Sequence, residues 1–313
     1  MKHSRREFIK YMAKGSALAS AGFLLPTNLL YAENKPVKLT VLHTNDTHSQ
    51  IDPFGASHKK YPSMGGVSKR KALIETIRAE EENVLLLDAG DIFQGTPYFN
   101  FFKGEIEFKA MSEMKYDAAT MGNHDFDIKV DGFTNALPHA NFDFVVSNYD
   151  FKNTSLDGRT KPYKIINKGG VKIGIFGICI ALDGLVAKSC YQETVYQDGI
   201  DVAQEYTRIL KQEEKCDLVV CLSHLGYTAF TPTDYDDKIL AAKTKDIDII
   251  IGGHSHTFLD EPDVRKNAEG KDVLVTQVGY AGIKLGRVDF YFNASKKNKL
   301  AWSTDSFQNY ALD

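Results

Sequence analysis

From Pro36 onward, the chain alternates short apolar runs with longer amphipathic segments. The apolar runs have the length and the aliphatic content of strands that are buried on both faces. The amphipathic segments carry apolar residues at helical spacing among charged ones, as in Val67–Glu81. A regular alternation of these two kinds of segment predicts an α/β architecture.

The pattern predicts individual elements. Three segments are expected to be helices: Val67–Glu81, Gly199–Glu214 and Tyr235–Ala242. Nine segments are expected to be strands: Lys38–His43, Val84–Asp88, Phe142–Ser147, Val171–Ile180, Asp217–Ser223, Asp246–Ile251, Val273–Val278, Lys284–Phe292 and Lys299–Phe307. The last two strands are expected to form a closing hairpin. The sequence shows no repeat, low-complexity tract or linker, so we expect one domain over residues 36–313.

Charge and cysteine content narrow the class of protein. The net charge of −3 argues against a polynucleotide partner, which would require clustered positive charge. The four cysteines form no CxxC pair, which argues against a thiolate zinc site. Cys179 and Cys221 lie in apolar runs and are expected to be free core residues. The sequence also allows a disulfide between Cys190 and Cys216.

The N-terminus has the pattern of an export signal. Arg5 and Arg6 precede a moderately apolar stretch, Tyr11–Leu30, whose small residues make a poor membrane span. Cleavage after Ala32 would remove residues 1–32 as a twin-arginine signal peptide. We therefore expect a periplasmic or exported protein with no stable membrane insertion after cleavage. The alternative is that the segment stays as an uncleaved anchor.

Five polar clusters directly follow predicted strands, which is where open α/β sheets place their ligand sites. Singly, such clusters are often turn carboxylates or structural histidines, but five of them at strand ends are not expected by chance. Carboxylate, amide and imidazole donors without thiolate suit Zn²⁺, Mn²⁺, iron or cobalt. The clusters supply eight candidate positions: Asp46, His48, Asp91, Asn123, His124, His224, His254 and His256.

The spacing within these clusters favours two metal ions. Asp46 and His48 are two residues apart, so in an extended loop they point to one side and can hold one ion. Gly90 allows a sharp turn that brings Asp91 close to a ligand, and its two carboxylate oxygens can bridge two cations. The H-x-H pair, His254 and His256, follows two glycines and can reach two different ions.

One histidine is left for the chemistry. If Asp91 is shared, seven ligands give each of two ions about four protein donors. His124 then remains for acid–base chemistry or phosphate contact. Asp127 lies three residues later and can orient the His124 ring, as carboxylates do for catalytic imidazoles.

A role in substrate binding is expected for a few loop residues. Asn148, which follows an apolar strand, is the best candidate. Gln94 and Tyr227 are weaker candidates. The sequence is equally compatible with all three being solvent-exposed residues without a role in binding.

Two of these clusters resemble the signatures of the bacterial 5′-nucleotidases, which are calcineurin-like metallophosphoesterases. The run from Leu39 to Ser49, LTVLHTNDTHS, is similar to the first signature, and Gly122–Asp127, GNHDFD, is similar to the second. The family usually has Glu where this chain has Asp125, a shortening that we expect to be tolerated. The resemblance spans about Val37 to Phe292 and implies a four-layer α/β/β/α sandwich of two mixed sheets.

The resemblance also implies roles for the donors. It places Asp46, His48, Asp91 and His256 at one metal ion, and Asp91, Asn123, His224 and His254 at the other. It implies that His124, paired with Asp127, contacts the phosphate or the leaving oxygen. The implied reaction is hydrolysis of phosphate esters, foremost 5′-nucleotides, by a metal-bridging hydroxide.

The resemblance leaves the substrate and the partners open. Family members usually carry a second domain that binds the nucleobase, whereas this sequence ends at Asp313. We therefore expect either a separate chain that supplies this element or action on small or varied phosphoesters. Alternative substrates are 2′,3′-cyclic nucleotides, nucleotide sugars and thiosulfonates. A non-catalytic binding subunit is a further alternative, which the intact ligand set argues against.

Overall fold

The computed structural model describes residues 36–229, 235–293, 299–303 and 310–311. The predicted signal peptide, residues 1–32, lies outside these residues. The helices are α1 (Val67–Glu80), α2 (Pro97–Phe102), α3 (Glu105–Glu113), α4 (Lys129–Ala136), α5 (Lys188–Tyr191), α6 (Gly199–Arg208) and α7 (Asp237–Lys243). Single turns of 3₁₀ helix lie at His124–Phe126 and Leu137–His139.

The strands of the described residues follow in chain order. They are β1 (Val37–Thr44), β2 (Val84–Asp88), β3 (Ala118–Ala119), β4 (Asp143–Phe144), β5 (Tyr149–Asp150), β6 (Tyr163–Lys168), β7 (Val171–Cys179), β8 (Val195–Tyr196), β9 (Leu218–His224), β10 (Ile249–Ile251), β11 (Asp263–Lys266), β12 (Asp272–Thr276), β13 (Lys284–Phe292), β14 (Lys299–Ser303) and β15 (Tyr310–Ala311).

The strands form two mixed sheets, as predicted. One sheet has the order β14-β13-β1-β2-β3-β4, with β15 also paired to β13, and the other has the order β11-β12-β10-β9-β7-β6. In the first sheet β1 runs parallel to β2 but antiparallel to β13. The antiparallel pairing of β13 with β14 confirms the closing hairpin. Strands β5 and β8 form a separate two-stranded ribbon.

Side chains that alternate along each strand pack on the two opposite faces of the sheet. In β1, Leu39 and Val41 pack between the sheets, whereas Leu42 points to the opposite face. The outer face of the first sheet is covered by α1, α3 and α4, and that of the second by α6 and α7. The predicted four-layer α/β/β/α arrangement is thus confirmed.

Strand register gathers the polar clusters at one edge of each sheet. Thr44 at the end of β1 pairs with Asp88 at the end of β2, which in turn pairs with Ala119. In the second sheet, Leu222 near the end of β9 pairs with Ile251 at the end of β10. The segments that follow these parallel strands therefore leave the sheets side by side.

One predicted strand is much shorter than expected. Of Phe142–Ser147, only Asp143–Phe144 lies in a strand. Val145 still donates its N–H to Ala119 O in the first sheet, but Ser147 donates its N–H to Gly177 O in the second. The chain therefore crosses from the first sheet to the second here, and its apolar residues belong to this crossing segment.

Other boundaries move by a few residues. The helix predicted to run from Gly199 to Glu214 is α-helical to Arg208 and then continues as a π-helical turn, Ile209–Glu213. Helix α7 begins after Asp236, whose carboxylate accepts hydrogen bonds from the amides of Lys238 and Ile239. This cap explains why the helix starts two residues later than predicted.

The four cysteines are free thiols. Cys179 and Cys221 are fully buried, which confirms the prediction for these two. Cys190 and Cys216 pack with different apolar clusters, so no disulfide joins them. Among the described residues, no helix has both the length and the apolar character needed to cross a membrane.

Candidate metal centre

The loops after β1, β2 and β10 hold one another through backbone hydrogen bonds. Asp46 N donates to Gly90 O at 2.9 Å, and His48 N donates to Asp91 O at 3.1 Å. His254 N donates to both carboxylate oxygens of Asp46, each at 3.0 Å. Residues more than 200 positions apart in the chain are thus joined in one cluster of loops.

The first donor cluster consists of Asp46, His48 and His256, whose ligand atoms all lie within 4.8 Å of one another. Nε2 of His48 is 2.9 Å from Nε2 of His256. Oδ1 of Asp46 is 3.3 Å from the same His256 nitrogen and 3.9 Å from that of His48. Two imidazole nitrogens and a carboxylate oxygen that converge in this way form a good cation site.

The second donor cluster consists of Asp91, His224 and His254, which also lie within 4.8 Å of one another. Asp91 connects the two clusters. Its Oδ2 is 3.1 Å from Nε2 of His224 and 3.9 Å from Nε2 of His48, while Oδ1 accepts a hydrogen bond from the His124 amide at 2.8 Å. One oxygen of Asp91 therefore faces both clusters, as a bridging ligand must.

Neighbouring groups orient the donors toward the site. The Nδ1 atoms of His48 and His224 lie 3.1 Å from Phe93 O and 2.7 Å from Ala89 O, respectively. A hydrogen bond from Nδ1 to a carbonyl leaves Nε2 as the free donor, an arrangement common among metal-binding histidines. The buried Oδ1 of Asn123 has no hydrogen-bond partner among the described residues. A metal ion would satisfy this oxygen, so the donor set fits two divalent cations.

Burial and neighbouring charges shift the pKa values of these groups in opposite directions. Burial acts to lower the pKa of His224, but the carboxylates of Asp91 and Asp46 outweigh it and raise that pKa to about 10. Burial and the charge on His224 lower the pKa of His254 to about 4. Burial would raise the pKa of Asp91, yet the imidazoles of His224 and His48 hold it well below its usual range. The carboxylates of Asp46 and Asp91 are thus stabilised by nearby positive charge, which divalent cations would supply.

Most of the predicted ligands have an unusual backbone conformation. Five of the seven predicted ligands have a positive φ, between 48° and 68°: Asp46, His48, Asp91, His254 and His256. Left-handed backbone at non-glycine residues costs on the order of 1–3 kcal/mol each and concentrates at functional sites. The spacing of the motifs had suggested extended loops, so this geometry was not foreseen. The preceding Gly90, at φ 88°, makes the sharp turn that was predicted.

Asp125, the departure from the family pattern, supports the loop that carries Asp91. It is fully buried, and its carboxylate accepts hydrogen bonds from the amides of Asp91, Ile92, Phe93 and Gly122. Burial and the nearby Asp91 raise the pKa of Asp125 to about 7. The shorter side chain therefore still reaches the backbone of the ligand loop.

His124 and Asp127 form the expected pair. Nδ1 of His124 is 2.9 Å from Oδ2 of Asp127, and the His124 side chain is 39% exposed. Its ring centroid lies 5.4 Å from that of His48, so it faces the metal centre from the side open to solvent. The hydrogen bond to Asp127 raises the pKa of His124 against the effect of its partial burial.

Asn148 does not join this group. It is fully buried, its Nδ2 donates to Cys179 O at 2.8 Å, and its Oδ1 accepts from Cys179 N at 2.8 Å. Both ends of the amide are used within the protein, so the geometry supports a structural role in place of the predicted substrate contact. Tyr227 donates to Asp263, and Gln94 is half-buried next to the ligand loop.

Gly122 provides a test of how tightly Asp91 is held. A Cβ at this position would lie 2.1 Å from Asp91 Oδ1 and 2.5 Å from Asp91 N. We expect Gly122→Ala to displace Asp91 and to weaken metal affinity about 10- to 100-fold, the range typical when support for a ligand is lost. Metal titration followed by elemental analysis measures this. Gly55→Ala, where no atom lies within 4 Å, is the matched control and should bind metal normally.

The family model of calcineurin-like phosphoesterases matches residues 39–258. The chain therefore belongs to the calcineurin-like phosphoesterases, and its two donor clusters are consistent with the dinuclear metal site of that class. Within the class it is homologous to the catalytic regions of 5′-nucleotidases, which confirms the resemblance seen in the motifs.

Three relatives illustrate the similarity. The venom 5′-nucleotidase of Crotalus adamanteus is 33% identical over 277 residues, which cover 82% of this chain and 45% of that protein. The 5′-nucleotidase precursor of Thermus thermophilus matches with a TM-score of 0.74 at 34% identity, covering 85% of this chain and 53% of that one. The NAD nucleotidase of Haemophilus influenzae matches with a TM-score of 0.75 at 27% identity, covering 86% and 55%. The chain spans about half the length of these relatives.

Proposed function

We propose that this protein hydrolyses phosphate monoesters, with 5′-nucleotides as the main substrates, by means of two divalent metal ions. The position of Asp91 Oδ2 carries the proposal, because this oxygen lies 3.1 Å from His224 Nε2 and 3.9 Å from His48 Nε2. Relatives named 5′-nucleotidases support nucleotides as the substrate class.

Each ion would have a defined set of protein donors. One ion would be held by Asp46, His48, His256 and the shared Asp91. The other would be held by Asn123, His224, His254 and the shared Asp91. Such a pair of ions, when bound, supplies a nucleophile from water near neutral pH and neutralises charge on the phosphoryl group.

The chain's own contribution to the reaction centres on His124. Its Nδ1 is occupied by Asp127, so Nε2 is the atom available to the substrate. The ring faces the donor clusters from the exposed side, where a phosphate ester would enter. His124 would therefore donate a hydrogen bond or a proton to a phosphate oxygen or to the leaving oxygen.

A substrate panel tests the proposal. Protein reconstituted with Mn²⁺ or Zn²⁺ is assayed against 5′-nucleotides, ribose 5-phosphate, an aryl phosphate, 2′,3′-cyclic nucleotides, a nucleotide sugar and a thiosulfonate. We expect the 5′-nucleotides to have the highest kcat/KM. No hydrolysis of any phosphomonoester would overturn the proposal, and a clear preference for one of the last three classes would redirect it.

We also propose export through the twin-arginine route, which the sequence around Arg5 and Arg6 supports. Replacing both with lysine, Arg5→Lys with Arg6→Lys, should leave the unprocessed protein in the cytoplasm of a bacterial host that has this route. Cell fractionation and the mass of the mature protein measure the result. Lys10→Arg with Lys14→Arg preserves the charge in the same way and should leave export normal. Normal export of the Arg5 and Arg6 variant would refute the proposal.

A further inference from the structure

A group of aromatic rings begins at the predicted ligand His256 and leads away from the metal centre. The ring of Tyr280 stacks on that of His256, with centroids 5.1 Å and planes 15° apart. Tyr61 and Phe258 lie one ring further out, with centroids 6.0 Å and 6.1 Å from that of Tyr280 and 6.0 Å from each other. We name Tyr61, Phe258 and Tyr280 the aromatic wall.

The wall is part of the surface beside the metal centre. Its three rings are half-buried, and the adjoining His256 side chain is 39% exposed. Rings of the core, such as Phe93 and Phe108, are by contrast fully buried. Aromatic surface that stays accessible next to a polar site is typical of ligand pockets, where it supplies contact area while a few polar groups fix orientation.

The backbone fixes Tyr280 to the metal centre. On one side of it, Gly279 N donates to Thr257 O at 2.9 Å, and on the other, Ala281 N donates to Asp46 O at 2.7 Å. Asp46 is itself a predicted ligand, so the tyrosine and the donor cluster share one support. The wall therefore has a defined position relative to the first donor cluster.

Glycine at position 279 lets the rings approach. Gly279 has φ 79°, and a Cβ on it would lie 2.1 Å from Phe258 Cε1. The ring of Phe258 therefore packs directly on the backbone beside Tyr280. A side chain at this position would push Phe258 out of the wall.

Tyr61 comes from a long loop of defined conformation. Residues 45–66 contain no helix or strand, and loops of this length in compact domains are usually functional. Phe54 N donates to Met64 O at 2.9 Å, and Tyr61 N donates to His58 Nδ1 at 2.9 Å. The His58 ring also stacks with that of Tyr61. These contacts hold Tyr61 toward Tyr280.

Positive charge borders the wall. Lys60 Nζ lies 5.1 Å from the centroid of the Tyr61 ring. Lys284 Nζ lies 5.4 Å from that of Phe258 but is paired with Asp260 Oδ1 at 3.1 Å. The Lys60 ammonium group suits an anionic ligand that also presents a flat ring. An apolar ligand alone would gain nothing from this charge.

We propose that the aromatic wall binds the planar ring of the substrate's leaving group, a nucleobase in the case of a nucleotide. This inference rests on the proposed function, since it places the phosphate at the metal centre and the base against Tyr61 and Phe258. Stacking on aromatic side chains accepts any base, because every base has a π-face. The wall would thus favour nucleotides over phosphate esters that lack a ring.

A second aromatic surface offers an internal comparison. A cavity of about 450 Å³ lies beside α2 and is lined in part by Tyr98, Phe101 and Phe102. Phe101 is 80% exposed, and no ring contact joins this surface to a predicted ligand among the described residues. It lacks the direct stack on His256 that characterises the wall, so Phe101→Leu is a matched control.

Binding of adenosine tests the inference without turnover. Isothermal titration calorimetry on the metal-reconstituted chain compares wild type with Tyr61→Leu, Phe258→Leu and Phe101→Leu, after thermal unfolding has shown that each variant is folded. We expect adenosine to bind roughly 5- to 100-fold more weakly to each wall variant, the range for loss of one base stack. The Phe101→Leu protein should bind as wild type does. No detectable adenosine binding, equal binding by all variants, or a loss only in Phe101→Leu would overturn the inference.

Kinetics separate this inference from the proposed function. In the wall variants, KM for adenosine 5′-monophosphate should rise by a similar factor, while KM for ribose 5-phosphate, which lacks the base, should change far less. Hydrolysis with equal changes for both esters would contradict the wall and leave the phosphoesterase proposal standing. Wall-dependent adenosine binding without hydrolysis of any ester would support the wall and contradict the phosphoesterase proposal.

Discussion

Asp91→Ala is expected to lose both metal ions and to abolish phosphoester hydrolysis. Oδ2 of Asp91 is close to an imidazole nitrogen of each donor cluster, 3.1 Å from His224 and 3.9 Å from His48. Removing it takes one ligand from each site at once and leaves His224 and His48 without their nearest shared negative charge. Elemental analysis after dialysis measures the metal content per chain, and an aryl phosphate assay measures turnover.

Comparison with a ligand of one cluster sharpens this test. His256 belongs to the first cluster, so His256→Ala should mainly deplete the ion of that cluster. Asp157→Ala, at an exposed position, should retain both ions and full activity. If Asp91→Ala keeps two metal ions per chain, Asp91 is not a bridging ligand and the assignment of the two sites is wrong.

His124→Ala is expected to keep both metal ions but to slow turnover about 10²- to 10⁴-fold, the usual contribution of a general acid or base. The contact between His124 and Asp91 is made by the His124 backbone amide, which alanine retains. Only the exposed imidazole and its hydrogen bond to Asp127 are lost. Metal content and kcat are measured on the same preparation, and loss of metal would make His124 a ligand instead.

The choice of leaving group identifies what His124 does. If it protonates the leaving oxygen, His124→Ala should slow an alkyl phosphate far more than an aryl phosphate, whose leaving group needs no proton. If it stabilises the phosphoryl oxygens, both esters should slow equally. Asp127→Asn keeps the ring but changes its orienting partner, and we expect a smaller loss for it in the same assay. Equal rates for wild type and His124→Ala with every ester would exclude both roles.

Much of the fold was predictable because the buried strands have a local signal. Val84–Asp88 and Lys284–Phe292 have in the structure the bounds that their apolar pattern predicts. The predicted strand bounds were wrong where one segment bonds to both sheets. Phe142–Ser147 is such a segment, because it crosses from the first sheet to the second. An apolar run shows that a segment is buried but not what it is buried against.

For the site residues, too, some predictions agree with the structure and one does not. Asp46, His48 and His256 were recognised as donors from residue type and position, and the structure brings them within 4.8 Å of one another. Asn148 was selected by the same reasoning, but its amide lies in the core and bonds to the backbone of Cys179. Position after a strand is shared by ligands and by structural amides, and only the surroundings distinguish them.

Residue types and local periodicity suffice to identify the α/β class and the oxygen and imidazole donors. They do so because strands, turns and ligand preferences depend on a few neighbouring residues. Only the tertiary structure shows that Asp91 faces both clusters, that five predicted ligands adopt left-handed backbone, and that Tyr280 stacks on His256. These features join residues as far apart as Asp46 and His254, and such contacts arise from the packing of whole sheets, which no local pattern encodes.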